Sequence, residues 1–413
     1  MNPSTPTLAP ARPADPDAHR GDRPHTLTVG IDARAAAEVP AGRGRVVREL
    51  LRALAEREDD GGQRYVLYAR REWGGAALGP RFAWRTLHAR DPWWHVRAAR
   101  AATRECDVFL STNSYLTPRL LGIPCVPIVY DLVPFERGAR PNGRSAAIER
   151  LTLGPATRRS AAFLAISQAT ADALAARFPA TAPRTVVAPL GVAPTLAAPA
   201  GVASTLAAGP DPEEAPQLPP PGFVLAVGTL EPRKNLPRLV EAYRRLDAPL
   251  IERHPLVVVG ANGWRTGETL RALSSLGDRC VTLGHVSDAA LAELYRRCAV
   301  FCYPSLGEGF GLPVLEAMAA GAAVVTSNVS SLPEVGGDAV QYADPRDVDS
   351  IAAALARVLG DDAHREELRR RGAARALEFT WGEFAERVVG VLESAAGSLA
   401  ADGARTVDLA GHR

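Results

Sequence analysis

Two short segments in the second half of the chain hold residues whose types and spacing suit the handling of an anionic ligand. Gly228-Thr229-Leu230-Glu231-Pro232-Arg233-Lys234-Asn235 follows the apolar run FVLAV and precedes the helical pattern LPRLVEAYRRL. A strand-to-helix turn at the carboxyl end of a parallel strand is where α/β sheets bind ligands, and two adjacent cations there suit a diphosphate. Lys234 is the only lysine; the other 47 basic residues are arginine. A compact ammonium kept among guanidinium groups points to a task they do not perform, against the plain alternative of a solvated loop.

The second segment follows AVFCYPS and contains Glu308-Gly309-Phe310-Gly311-Leu312-Pro313-Val314-Leu315-Glu316. Gly307, Gly309 and Gly311 let the backbone approach a ligand closely, and Pro313 suits the first turn of a helix whose free N–H groups attract phosphate. Glu308 would repel a phosphate, so it makes sense as an acceptor for sugar hydroxyls beside one. Glu316 would accept from a ribose diol, or only complement the helix macrodipole.

Near the amino terminus, TLTVGID leads to Ala41-Gly42-Arg43-Gly44-Arg45 and the helical pattern VVRELLRALAE. Val47 stands in place of the third glycine of a dinucleotide fingerprint, and no acidic residue ends a second strand at the proper distance. Gly42 and Gly44 therefore read as a turn presenting helix-terminal N–H groups to a phosphate across a cleft. Asp131 ends PCVPIVY, where it would face that cleft or cap a turn. Ser167 reads as an N-cap, and Gly260 and Gly263 at the end of PLVVVG would admit a nucleotide base. Trp93 and Trp94 read as core, or as a stacking surface for an acceptor. Arg45, Arg48 and Arg52 share one helix face, either solvated or against anionic lipid headgroups.

These segments need a scaffold, and 413 residues supply two domains. With 46% hydrophobic and 23% charged residues, disordered, collagenous and fibrous classes are poor fits. A net charge of +2 gives no reason to expect nucleic acid as a partner. Five scattered cysteines form no C-x-x-C pair, which argues against a disulfide scaffold or a metal site and for reduced thiols in a cytosol. No apolar stretch suits a transmembrane helix, and the opening residues lack the apolar middle of a signal peptide.

Strands are expected at 26–31, 64–68, 107–111, 124–130, 161–167 and 185–189, then at 223–228, 256–260, 279–284, 299–303, 323–327 and 339–342. Apolar runs alternating with amphipathic patterns give an α/β fold of two doubly wound, Rossmann-like domains facing a cleft. Residues 1–25 read as a tail, 26–192 as the first domain, 193–222 as a Pro/Ala-rich linker, 223–379 as the second domain, 380–396 as a helix and 397–413 as a flexible end.

Taken together, EPRKN, EGFGLPVLEAMAAG, PLGV, SLPEV and Thr380-Trp381 resemble the retaining glycosyltransferases of family 4, over essentially residues 26–396. The spacing of Glu308 and Glu316 matches that family's E-x7-E motif. The resemblance implies the GT-B fold, a nucleotide-sugar donor in the second domain and an acceptor mainly in the first. Arg233 and Lys234 would hold the diphosphate, Glu308 the donor sugar and Glu316 the ribose, with Gly42 and Gly44 approaching from the other domain. Gly228, Thr229, Gly260, Gly309, Phe310, Gly311 and Leu312 would complete the donor site, with no metal or other cofactor. The residue 381–395 helix would return to the first domain. Thr229 stands where many members have Arg, and Tyr130 precedes Asp131 where many have His, leaving Asp131 as the candidate beside the sugar. The expected reaction is transfer of a hexose, mannose from GDP-mannose, to a glycan or lipid-linked acceptor of a bacterial surface polysaccharide, with retention. It would be cytoplasmic, with peripheral membrane contact through the first domain. A GT-B epimerase or phosphorylase, and a non-catalytic partner of an assembly complex, are the alternatives.

Overall fold

Runs such as VFLS, CVPIV and LVVV carry no polar face, so they stand as central strands covered on both sides. The computed structural model describes residues 26–40, 42–58, 62–132, 135, 143–193, 196 and 218–410. The expected tail at 1–25 and most of the linker lie outside the described residues. Among the described residues, seven strands come from the first half: β1 (Thr28–Asp32), β2 (Arg64–Ala69), β3 (Phe82–Thr86), β4 (Val108–Ser111), β5 (Cys125–Val129), β6 (Phe163–Ala165) and β7 (Thr185–Val187). Six come from the second: β8 (Val224–Val227), β9 (Leu256–Val259), β10 (Cys280–Gly284), β11 (Val300–Tyr303), β12 (Val324–Ser327) and β13 (Gln341–Ala343). They form two all-parallel sheets, ordered β3-β2-β1-β4-β5-β6-β7 and β10-β9-β8-β11-β12-β13.

In both sheets the strand order reverses beside the first strand, between β1 and β4 and between β8 and β11. Val29 pairs with Val108 at the first junction and Val224 with Val300 at the second. Loops leaving the carboxyl ends on either side of such a junction diverge to opposite faces and open a crevice, which is where α/β sheets take ligands. The EPRKN turn leaves β8 and the Glu308 loop leaves β11, so the two segments meet at the second junction.

Strand β3 was not among the expected strands. FAWRT lies on the sheet edge with its residues half-buried or exposed, so it never builds the apolar run that marks the others. The helix Trp381–Ala410 packs on the helix Arg43–Glu56 and on β4 and β5, returning the chain to the first sheet. Arg57 pairs with Glu386 at 2.5 Å, and the Gln63 amide donates to Glu393 at 2.6 Å. This helix continues past the point where a flexible end is expected at 397.

Candidate active site

The EPRKN turn owes its shape to two residues without charge. Asn235 takes a left-handed backbone conformation (φ 60°), and its side-chain amide donates to the carbonyls of Pro304 at 3.0 Å and Pro345 at 2.6 Å. This ties the turn to the end of β11. Gly228, at φ 141°, has no Cβ, and one built there would lie 3.2 Å from Cε of Lys234. The lysine stem therefore runs directly across the glycine.

Both cations of the turn converge on Glu308. Lys234 Nζ donates to Glu308 Oε1 at 2.8 Å and also to the Tyr303 hydroxyl. Arg233 donates to Glu308 Oε2 and, at 2.8 Å, pairs with Glu231. The hydroxyls of Ser305 and Tyr303 reach Glu308 Oε1 at 2.6 and 2.8 Å. Burial pushes the Glu308 carboxyl up, but Lys234 and Arg233 outweigh it and hold the group down at about 2. Burial lowers the Lys234 ammonium, and Glu308 offsets only part of that. A space of about 10 Å³ lies between Gly228, Lys234 and Tyr303.

The loop after Glu308 is gripped by the other domain. A Cβ on Gly309 would sit 1.8 Å from the Tyr130 carbonyl oxygen and 3.1 Å from Cβ of Asp131. The Gly309 carbonyl accepts from Ser167 Oγ at 2.6 Å and Thr170 Oγ1 at 3.1 Å. Ser167 also caps its own helix, accepting from the Thr170 N–H at 3.0 Å, so its role is double the expected one. Asp131 lies on this seam, its charge acting on Arg43 of the first domain and Arg233 of the second. Phe310 is buried edge-on to Phe379, and Gly311 (φ 107°) leads into the helix Leu312–Ala319.

Glu316 is buried in that helix and pairs with Arg45 at 2.5 Å, with the Tyr295 hydroxyl donating at 3.3 Å. Burial raises the Glu316 carboxyl above its ordinary value despite Arg45. Arg45 thus reaches across from the first domain. Arg48 donates to the carbonyls of Ala36, Val39 and Pro40, and Arg52 to Glu49. The three arginines of this face therefore make contacts within the chain, while Arg48 and Arg52 stay half-buried. Gly42 opens the helix Arg43–Glu56 at φ 55° with free space around it. Gly44 answers to packing, since a Cβ there would strike the Val39 carbonyl at 1.8 Å. Gly260 likewise admits the Gly228 carbonyl, 2.0 Å from its missing Cβ, and the Thr229 methyl lies against Gly263. Trp94 is fully buried under the Arg34 guanidinium at 3.7 Å, while Trp93 is 67% exposed.

Sequence reasoning missed Tyr303, Ser305, Arg45 as a partner of Glu316, and Glu334. The last accepts from the Gln168 N–H at 2.8 Å, so SLPEV of one domain caps the helix Gln168–Arg177 of the other. Residues that touch only in the closed fold leave no local spacing to read. Two larger spaces flank the site: about 1060 Å³ between Arg45, Asp288, Phe379 and Trp381, and about 190 Å³ in the first domain between Arg34, Arg43, Asp91, Tyr130 and Glu149. Among the described residues no helix is long and apolar enough to cross a membrane.

Residues 212–375 match the family described as glycosyl transferases group 1, and residues 40–196 match glycosyltransferase family 4. O-antigen chain mannosyltransferase B of Escherichia coli is 47% identical over 168 residues, 40% of this chain and 44% of that protein. The MMP alpha-(1->4)-mannosyltransferase of Mycolicibacterium hassiacum is 35% identical over 185 residues, 43% and 44% of the two chains. The chain spans less than half the length of these curated relatives. Among solved structures, sucrose-phosphate synthase from Thermosynechococcus elongatus superposes with a TM-score of 0.69 at 19% identity, over 90% of this chain and 100% of that one. WaaG, a glycosyltransferase involved in lipopolysaccharide biosynthesis, gives 0.67 at 16% identity, over 89% and 99%. With its two facing parallel sheets of GT-B architecture and family matches over most of its length, the chain belongs to the family 4, group 1 glycosyltransferases.

Proposed function

We propose that the chain is a retaining glycosyltransferase that moves a hexose, mannose, from a nucleotide-diphosphate sugar to a hydroxyl of a glycan or lipid-linked acceptor. The observation that carries this reading is the convergence of Lys234 and Arg233 on Glu308 at the junction of β8 and β11. Two cations and a carboxylate there can serve a sugar and its diphosphate together. GDP-mannose is favoured as donor because the relatives named above are mannosyltransferases.

On donor binding the two cations turn from Glu308 toward the diphosphate and stabilise the charge that grows as the bond between the anomeric carbon and phosphate oxygen breaks. The acceptor oxygen bonds to the same carbon on the same face, and its proton passes to the departing diphosphate. Glu308, held ionised, accepts from hydroxyls of the donor sugar, and Glu316 from the ribose once Arg45 gives way. Cations and helix N–H groups supply the neutralisation, so the reading needs no metal. Catalysis of this kind is positioning plus electrostatic stabilisation. Closure of the cleft, with Gly309 gripped by Ser167 and Thr170, keeps water from the donor. The chain would work in the cytoplasm, on acceptors presented at the membrane.

The test is a thermal-shift screen against GDP, UDP, ADP and their sugar conjugates in metal-free buffer. A ligand at 100 times its Kd adds ~2.7 kcal/mol of stability. A shift with GDP and GDP-mannose that disappears in Lys234→Ala supports the reading. No shift with any nucleotide moves the chain to a non-catalytic role in an assembly complex.

A further inference from the structure

The 190 Å³ pocket of the first domain sits where the carboxyl ends of β1, β4 and β5 diverge, at the β1/β4 junction. Its charges are already matched. Arg34, almost fully buried, donates to both oxygens of Asp32 at 2.9 and 2.8 Å and to Asp91 at 3.2 Å. Arg43 pairs with Glu149 at 2.7 Å. His95 adds no cation, because burial and the nearby Arg34 guanidinium lower it to about 4, and its Nδ1 lies 2.9 Å from the Thr117 hydroxyl. Among the buried polar atoms of the lining, one is left over. The Tyr130 hydroxyl is buried against the pocket and finds no hydrogen-bond partner among the described residues. A buried hydroxyl in that condition calls for a partner from outside.

We propose that this pocket binds one uncharged hexose ring of the acceptor and disfavours a phosphorylated one, with Tyr130, Asp91 and Glu149 as its specificity-determining residues. An anion would meet guanidinium groups whose bonds are already taken by carboxylates, and would lie beside Asp91 and Glu149. Sugar hydroxyls suit the site better, donating to those carboxylates and accepting from Tyr130. The pocket also adjoins the proposed reaction centre: the Tyr130 carbonyl abuts Gly309, and Arg43 shares the field of Asp131 with Arg233. The inference rests on the transferase reading for the word acceptor.

Saturation-transfer NMR on the full chain in excess GDP, which occupies the proposed donor site, tests it, with methyl α-D-mannoside, α-D-glucoside and α-D-galactoside as neutral probes and mannose 1-phosphate as the charged one. At least one neutral glycoside should give signals that fall about tenfold in Tyr130→Phe, while mannose 1-phosphate gives none. In Glu149→Gln, which releases Arg43, signals from mannose 1-phosphate should appear. The inference is overturned if no neutral probe binds, if mannose 1-phosphate binds the wild type as well as the glycosides, or if Tyr130→Phe and Asp91→Asn leave the glycoside signals unchanged. A GDP thermal shift on the same samples reports folding and the donor site separately. GDP binding without glycoside signals sinks the pocket alone. Tyr130-dependent glycoside signals without any nucleotide shift sink the transferase reading and leave the pocket as a neutral-sugar site.

Discussion

Replacing Lys234 by methionine removes one charge from the centre of the site and keeps most of the stem that crosses Gly228. Breaking a buried ion pair costs ~3–5 kcal/mol when the remaining charge is left alone. Glu308 is not left alone, because Arg233, Ser305 and Tyr303 still bond it. The expected loss is therefore about 2 kcal/mol, or roughly 4–8 °C in Tm for a unit of the second domain's size. The effect on turnover should be larger. Removing one preorganised donor from developing charge costs ~100- to 1000-fold in kcat. Lys234→Arg should fail to rescue, since Cε already lies 3.2 Å from where a Gly228 Cβ would be and the wider guanidinium head has no room there. GDP release from GDP-mannose in the presence of acceptor measures turnover, and scanning calorimetry measures stability. A kcat for Lys234→Met within fivefold of wild type would refute the role given to the ammonium, whatever the change in Tm.

Gly309→Ala should lower kcat at least tenfold, because its Cβ would strike the Tyr130 carbonyl and push the loop out of reach of Ser167 and Thr170; wild-type kinetics would show that this grip is dispensable. Glu316→Gln should weaken GDP about 10- to 100-fold, the cost of losing charged hydrogen bonds to a diol, and calorimetric titration with an unchanged Kd would exclude the ribose contact. Glu308 sits near 2 against an ordinary 4.5, so its charge contributes ~3 kcal/mol of stability above pH 4.5 that disappears as pH falls toward 2. Urea unfolding should accordingly find Glu308→Gln less stable than wild type at pH 7 and the gap closing in acid; a gap independent of pH would contradict the ion-pair account.

Most of the scaffold could be read from the chain because parallel strands buried on both faces have to be apolar throughout. VFLS, CVPIV and LVVV announce themselves, and only the edge strand Phe82–Thr86, with polar and exposed positions, does not. The residues that gather around Glu308 were legible for a related reason: a glycine turn, a lone lysine and two glutamates eight apart are local patterns. What stayed hidden was which side chains far apart in sequence meet. Arg45 reads as one of three surface arginines until the fold sets it against Glu316, 271 positions away. Ser167 reads as a cap until Gly309 arrives beside it. Gly44 and Gly260 carry a packing reason that the sequence does not show, since their missing side chains make room for the protein's own backbone.

The described site has a property that no single residue carries. Each of its charges has a partner within the chain: Lys234 and Arg233 with Glu308, Glu316 with Arg45, and Arg43 with Glu149. Donor binding on the proposed reading is then an exchange of ion pairs, since only a ligand that replaces several partners at once recovers what it displaces. A free phosphate can take Lys234 and Arg233 from Glu308, but it leaves Glu308 buried without its cations, which is unfavourable. A whole nucleotide sugar brings hydroxyls to Glu308 and a diol to Glu316 along with the diphosphate. Discrimination against fragments of the donor follows from the partners already in place, and so does coupling to closure. Of the pairs that exchange, Arg45 with Glu316 also spans the cleft, as the Gly309 grip does, so donor binding acts on a contact that holds the two domains together.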